Sequence, residues 1–305
     1  MFLALTCLFT LVYVNSVAQT SVVALHHNGS VTLYSGSNLQ AALTNSHKGD
    51  TLYLSEGTFQ KGNNYEAINV NNGQVLIGTG EKTIIGESIF INQNTSTKEN
   101  DCVLEGLNIK GDIQIKNDIS GMVISQCQFD NLRCEDNIIL DCVIYRSYIK
   151  KELELSMPFS GLSVVNSKVR SVHLTNGLTG GNANFLNCNI NEFGVQDSES
   201  IFTNCIIQTQ AKRYSSNFIY CLMGTNSAED SRCTNCWTIG SAILDDNLES
   251  SQKLNDYLGN DGTVVGITGG DNPYTLTPSA PHVASHKIEV DKANQKLNVT
   301  LTIEN

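Results

Sequence analysis

Five side chains in one stretch carry the elements of an elimination reaction. Arg146, Tyr148, Lys168, Arg170 and His173, with Tyr145, Lys150 and Lys151 among them, form the most basic segment of an acidic chain. A polysaccharide lyase needs a cation to neutralise a uronate carboxylate and a base to take the adjacent proton. Arg146 or Arg170 could supply the cation, and Tyr148, Lys168 or His173 the base. The plainer reading is a solvated face, because Glu152 and Glu154 stand close by in sequence.

Cysteine is the other residue type with chemical potential. Of ten, Cys7 lies in the N-terminal apolar segment and nine follow it. Cys127, Cys142, Cys188, Cys205, Cys221 and Cys236 align with Leu107 and Ser167 in one column, at successive gaps of 20, 15, 25, 21, 17, 16 and 15 residues. Asn166, Asn187, Asn204 and Asn235 stand just before the column residue, as in FLNC, FTNC and CTNC. Zinc needs four ligands converging on a point, whereas a column offers a line, and only Cys233 and Cys236 have CxxC spacing. Disulfides between in-register parallel strands would leave Cβ atoms about 4.8 Å apart, where a bridge prefers about 3.8 Å. An interior ladder of small thiols is the expected reading, with one or two bridges as the alternative. The preceding Asn reads as a turn or ladder residue whose amide bonds the turns above and below.

Positioning such a column requires parallel coils. Short alternating strands recur every 15 to 25 residues, and no segment between Thr51 and Cys236 sustains a 3.6 period. Equivalent residues then stack along an axis. A leucine-rich repeat would extend the rhythm of LEGLNIKGDIQIKN through the chain, and the rest lacks it. Before the first strand, Ser37 and Gln40 fit a capping box for a helix to Leu43, whose Leu39, Ala42 and Leu43 would cover the open end of the stack.

After that helix, GDTLYLSEGTFQ (Gly49 to Gln60) and VLIGTGEKTIIG (Val75 to Gly86) resemble the opening turns of the right-handed parallel β-helix, or pectin-lyase-like, superfamily. The likeness runs from about Ser37 to Gly270. The segment GTVVGITGGDNPYTLTPSAP is similar to the C-terminal ends of secreted bacterial β-helix proteins with no established activity. The resemblance implies a fold and no particular reaction. Polygalacturonase-like members carry Gly-His-Gly and Arg-Ile-Lys after their Asp motifs, and this chain has only Asp245-Asp246. The Trp-Ile-Asp-His and Arg-x-Pro-x-x-Arg stretches of pectate lyases are absent, as are the Gln-Asp-Thr-Leu and Phe-Ile-Phe-Gly segments of the esterases.

The expected architecture is therefore all-β: a right-handed parallel β-helix of about ten turns. Residues 1–18 read as a signal peptide ending Ser16-Val17-Ala18, 19–36 as a lead-in, 37–278 as the β-helix with its capping helix, and 279–305 as a β tail. Leu297, Val299, Leu301 and Ile303 alternate with polar residues, and HKIEV upstream is available to pair in a hairpin. His282 and His286, four apart on an extended segment, lie about 13 Å apart, too far to share a metal. His26 and His27 read as exposed loop residues. The mature chain is expected to be secreted, extracellular or cell-surface, with no membrane span, cofactor or metal. A net charge of −11 excludes nucleic acid. The expected function is a non-catalytic scaffold binding carbohydrate or a surface protein, with an unassigned polysaccharide lyase or glycoside hydrolase as the alternative.

Overall fold

The computed structural model describes residues 21–60, 67–71, 73–92, 102–134, 137–156, 159–175, 181–196, 199–213, 216–224, 232–278, 282–291 and 296–304. Residues 1–18, the expected signal peptide, lie outside them. Among the described residues no helix is long and apolar enough to cross a membrane.

The body is a parallel β-solenoid. Its first sheet has twelve strands, of which two, Val22–His27 and Ser30–Ser35, form an antiparallel hairpin at one edge. Val22–His27 also pairs antiparallel with Thr51–Leu54, so His26 and His27 are strand residues and not loop residues. From Thr51–Leu54 to Cys233–Thr234 every further pairing in that sheet is parallel. A second sheet of thirteen strands runs beside it, and a three-stranded sheet of Ile119–Ser120, Ile139–Leu140 and Phe159–Ser160 gives the middle turns a third strand.

Alternation along each short strand sends one residue inward, and parallel register stacks these into ladders. Leu52, Leu76, Leu104, Ile124, Ile144, Val164, Phe185, Phe202 and Phe218 form one such ladder and are all buried. The phenyl rings of Phe185, Phe202 and Phe218 stack at centroid distances of 4.5 and 5.2 Å. Burying each contributes roughly 1.5–3 kcal/mol.

Between the first and second sheets the chain turns on a single residue in the left-handed region. Gly106, Gln126, Arg146, Asn166, Asn187, Asn204, Tyr220 and Asn235 all have φ between 45° and 62°. Gly and Asn populate that region at least cost, which explains the recurring Asn. The residue after each bend turns inward, and together these form the column Leu107, Cys127, Ser147, Ser167, Cys188, Cys205, Cys221 and Cys236.

This corrects the sequence alignment at one rung. Tyr145 pairs with Ser125 and Val165, so Ser147 occupies the place assigned to Cys142, and the gaps there become an even 20 residues. Cys142 follows a different left-handed bend, Asp141, equivalent to Gly121 and Gly161 on the neighbouring turns. Both bends put a small buried residue after a left-handed one, so the text "Asp-Cys" resembles "Asn-Cys" although it belongs to another corner.

The column is filled by side chains that are small and can donate. Cys127 Sγ lies 3.2 Å from Ser125 O and 3.4 Å from Leu104 O, and Cys188, Cys205 and Cys221 repeat this geometry. Ser147 Oγ donates to Tyr145 O at 2.9 Å and Ser167 Oγ to Val165 O at 2.8 Å. The nine described cysteines are unbridged, seven of them buried and Cys233 and Cys236 partly so.

The helix Leu39–Asn45 forms with Leu39, Ala42 and Leu43 buried. The expected capping box does not: Gly36–Asn38 is a 3-10 turn, and Ser37 makes no cap. Gln40 instead reaches the strand Ala67–Asn71, accepting from Asn69 N at 2.9 Å and donating to Asn69 O at 3.3 Å. It ties helix to solenoid. The C-terminal tail is an antiparallel hairpin, His282–Asp291 with Lys296–Glu304, whose first strand begins four residues before the expected HKIEV.

Burial pushes the Cys102 and Cys127 thiols up to about 12 and that of Cys142 to about 11. Unfolded thiols ionise near 8.5, so between about pH 8.5 and 12 the native state holds more protons, and stability falls as pH rises. Denaturation at a series of pH values should show that decline. It should be shallower for Cys127→Ser, which keeps the donor that Ser147 and Ser167 supply on neighbouring turns.

Candidate functional site

After the last turn the chain reverses and runs back along the outside of the solenoid as a strap, residues 241–278. What it covers is set by the outward residues of the second sheet. Their register runs Asn108, Gln128, Tyr148, Lys168, Asn189, Ile206, Leu222, Trp237. Its last part is apolar, and there Ile206 and Leu222 pack with Ile243, Leu244, Leu248 and Val265 of the strap in a second buried cluster.

Beyond that cluster the strap is held by the side chains of the left-handed bends, which point out where their neighbours point in. Asn166 donates to Gly269 O at 2.9 Å. Asn204 donates to Asn260 Oδ1 and accepts from Asn260 N, both at 3.0 Å. Arg146 donates to Asn272, and Gln126 to Thr277 O. The bend amides thus bind the strap, in place of the turns above and below them. A Cβ on Gly266 would sit 2.4 Å from Asn189 Oδ1, and one on Gly270 2.4 Å from Asn187 Nδ2. Glycine is needed for the strap backbone to approach these side chains, which accounts for the GITGG sequence.

Where the strap leaves the apolar column, it and the solenoid enclose a groove of about 1420 Å³. Tyr53, Glu56, Glu81, Lys82, Gln128, Tyr148 and Lys168 line the solenoid side, and Asn247, Glu249, Tyr274 and Pro278 the strap side. Lys168 is buried, ion-pairs with Glu249, and lies 4.8 Å from the centre of the Tyr274 ring and 5.7 Å from that of Tyr148. Glu56 pairs with Lys82 at 3.0 Å. Burial, with the nearby charges of Glu81 and Glu249, pushes the Tyr274 phenol well above its ordinary range, so it stays a hydrogen-bond donor.

Of the five elimination candidates, only Tyr148 and Lys168 reach this groove. Arg146 binds Asn272 and stacks on Tyr145. Arg170 donates to Lys150 O and Asp246 O. His173 bonds Glu152 opposite Gly194, which leaves it room, and lies five residues from Lys168, about 17 Å along the strand. The basic stretch serves mainly to receive the strap. Asp245 accepts from Asn247 N and Glu249 N in a turn, and Asp261 likewise from Thr263. Glu249, Tyr274 and Glu81 escaped sequence reading because no local pattern links them to Lys168. No protein-family model matches the chain, and neither a curated protein nor a solved structure matches it.

Glu249 is half-exposed while Lys168 is not, so removing the acid strands a buried ammonium. Glu249→Gln should lower stability by roughly 1–2 kcal/mol. Lys168→Met, which removes the charge and keeps the stem, should cost less in the same urea titration.

Proposed function

We propose that the protein is a secreted or cell-surface, non-catalytic member of the right-handed, pectin-lyase-like β-helices that binds a neutral glycan segment in the groove under the strap. The observation that carries this reading is the pairing of the groove's charges. Lys168 already faces Glu249 and Lys82 already faces Glu56, so among the described lining residues no cation is left over for a uronate carboxylate, while Glu81 adds a negative charge. A lyase of acidic glycans needs the opposite balance.

What the lining offers is suited to sugar. Tyr53, Tyr148 and Tyr274 present aromatic faces on which the C–H face of a pyranose stacks, and Gln128 and Asn247 supply amides for hydroxyl groups. Spread over the width of several turns, these groups fit a chain of a few residues better than a single sugar.

The test is a screen of neutral and acidic oligosaccharides followed by calorimetry on wild type, Tyr274→Ala and Gln128→Ala. Binding of a neutral oligosaccharide, weakened about tenfold or more by Tyr274→Ala, is expected. Release of unsaturated, ultraviolet-absorbing products from polygalacturonate or alginate, lost in Lys168→Met, would replace the scaffold reading with the lyase.

A further inference from the structure

A second cluster of functional side chains stands at the N-terminal edge of the first sheet. His27 ends the strand Val22–His27, His47 follows the helix Leu39–Asn45, and Asp50 precedes the strand Thr51–Leu54. One ligand atom from each lies within 4.8 Å of the other two. His27 Nδ1 is 2.8 Å from Asp50 Oδ1, and His47 Nδ1 is 3.7 Å from Asp50 Oδ2. The imidazole rings are 4.9 Å apart and tilted by 38°.

We propose that His27, His47 and Asp50 form a divalent transition-metal site of the zinc type that clasps the N-terminal hairpin to the first turn of the solenoid. Two imidazoles and one carboxylate are a zinc donor set, and metal–ligand bonds of about 2.0–2.1 Å place tetrahedral ligands about 3.3 Å from one another. Measured to the single oxygen Asp50 Oδ2, the separations are 2.9 Å for His27 Nδ1 and 3.7 Å for His47 Nδ1, which bracket that value, and closing the wider one moves only His47, whose side chain is 73% exposed. The fourth position is left to water.

The surroundings are built to hold such a site. Asp50 is only 6% exposed and is fixed by its own turn: His47 N donates to Asp50 Oδ2 at 2.8 Å, and Asp50 N to His47 O at 3.1 Å. Burying a carboxylate is costly unless cations or donors answer it, and the groups that answer this one are the two histidines. Asn28 Nδ2 lies 2.9 Å from His27 Nε2. With its amide turned over, Asn28 Oδ1 accepts Nε2–H, which presents the Nδ1 lone pair to the ion. Without metal, Nδ1–H bonds Asp50; with the ion bound, the single proton of the neutral ring sits on Nε2 instead, where the turned Asn28 amide accepts it. A histidine–aspartate ion pair alone would stabilise the same hairpin, and what separates the two is saturable metal binding.

Zinc titration of the metal-free full chain should show one equivalent that His47→Ala lacks or binds at least tenfold more weakly. Saturating zinc should raise the melting temperature of wild type and leave that of His47→Ala unchanged. X-ray absorption of the one-equivalent complex should show nitrogen and oxygen ligands. Equal zinc affinity in wild type and His47→Ala, sulfur ligation, or no saturable binding would each overturn the site. His47 is exposed, so its variant folds; Asp50→Asn checks the carboxylate on the same readouts.

Discussion

The structure depends on one residue held in the left-handed backbone region at the corner between the first and second sheets, from Gly106 to Asn235. A solenoid coil must change direction between its first and second sheets without breaking the parallel ladders, and here it does so in one step at Gly106, Gln126, Arg146, Asn166, Asn187, Asn204, Tyr220 and Asn235. For most side chains this conformation costs roughly 1–2 kcal/mol, and it recurs because the stack above and below leaves the backbone no alternative register. The bend has two faces. The next residue turns inward, and after Leu107 on the first of these turns it is always small and able to donate, Cys or Ser. The bend residue itself turns outward and is available for something else.

That something else is the strap. Asn166, Asn204, Arg146 and Gln126 bind it, and the apolar end of the neighbouring column, Ile206 and Leu222, buries its first half. One geometric requirement thus produces both the interior thiol ladder and the external docking track. The groove is a by-product of the same arrangement, formed where the strap passes over polar outward residues. Its buried cation is neutralised from within: Glu249 comes from the strap and Lys168 from the solenoid. The site therefore exists only when the strap is seated, and its chemistry is that of tyrosines and amides.

Repeated features were legible in the sequence, and unrepeated ones were not. The parallel coil, the Asn-Cys column, the buried face of the short helix and the C-terminal hairpin all rest on patterns that recur or alternate, which single-sequence reading detects. Cys142 was misplaced because two different corners obey the same rule, and only the pairing of Tyr145 with Ser125 separates them. Gln40 had two partners available, Ser37 by sequence proximity and Asn69 through the fold, and the second won because the helix end packs on the strand Ala67–Asn71. Lys168 with Glu249, and Arg146 with Asn272, are separated by 81 and 126 residues and occur once each. Nothing local announces them.

The recurring Asn is selected for its backbone conformation. Asn235 tests it most directly, because it is exposed and has φ of 54°. Denaturant midpoints of Asn235→Gly and Asn235→Ala measure the two alternatives. If the bend sets the requirement, the glycine variant stays within a few tenths of a kcal/mol of wild type and the alanine variant loses about 1 kcal/mol. An alanine variant as stable as wild type, with the glycine variant the weaker of the two, would mean the residue sits in ordinary extended backbone and would contradict the account.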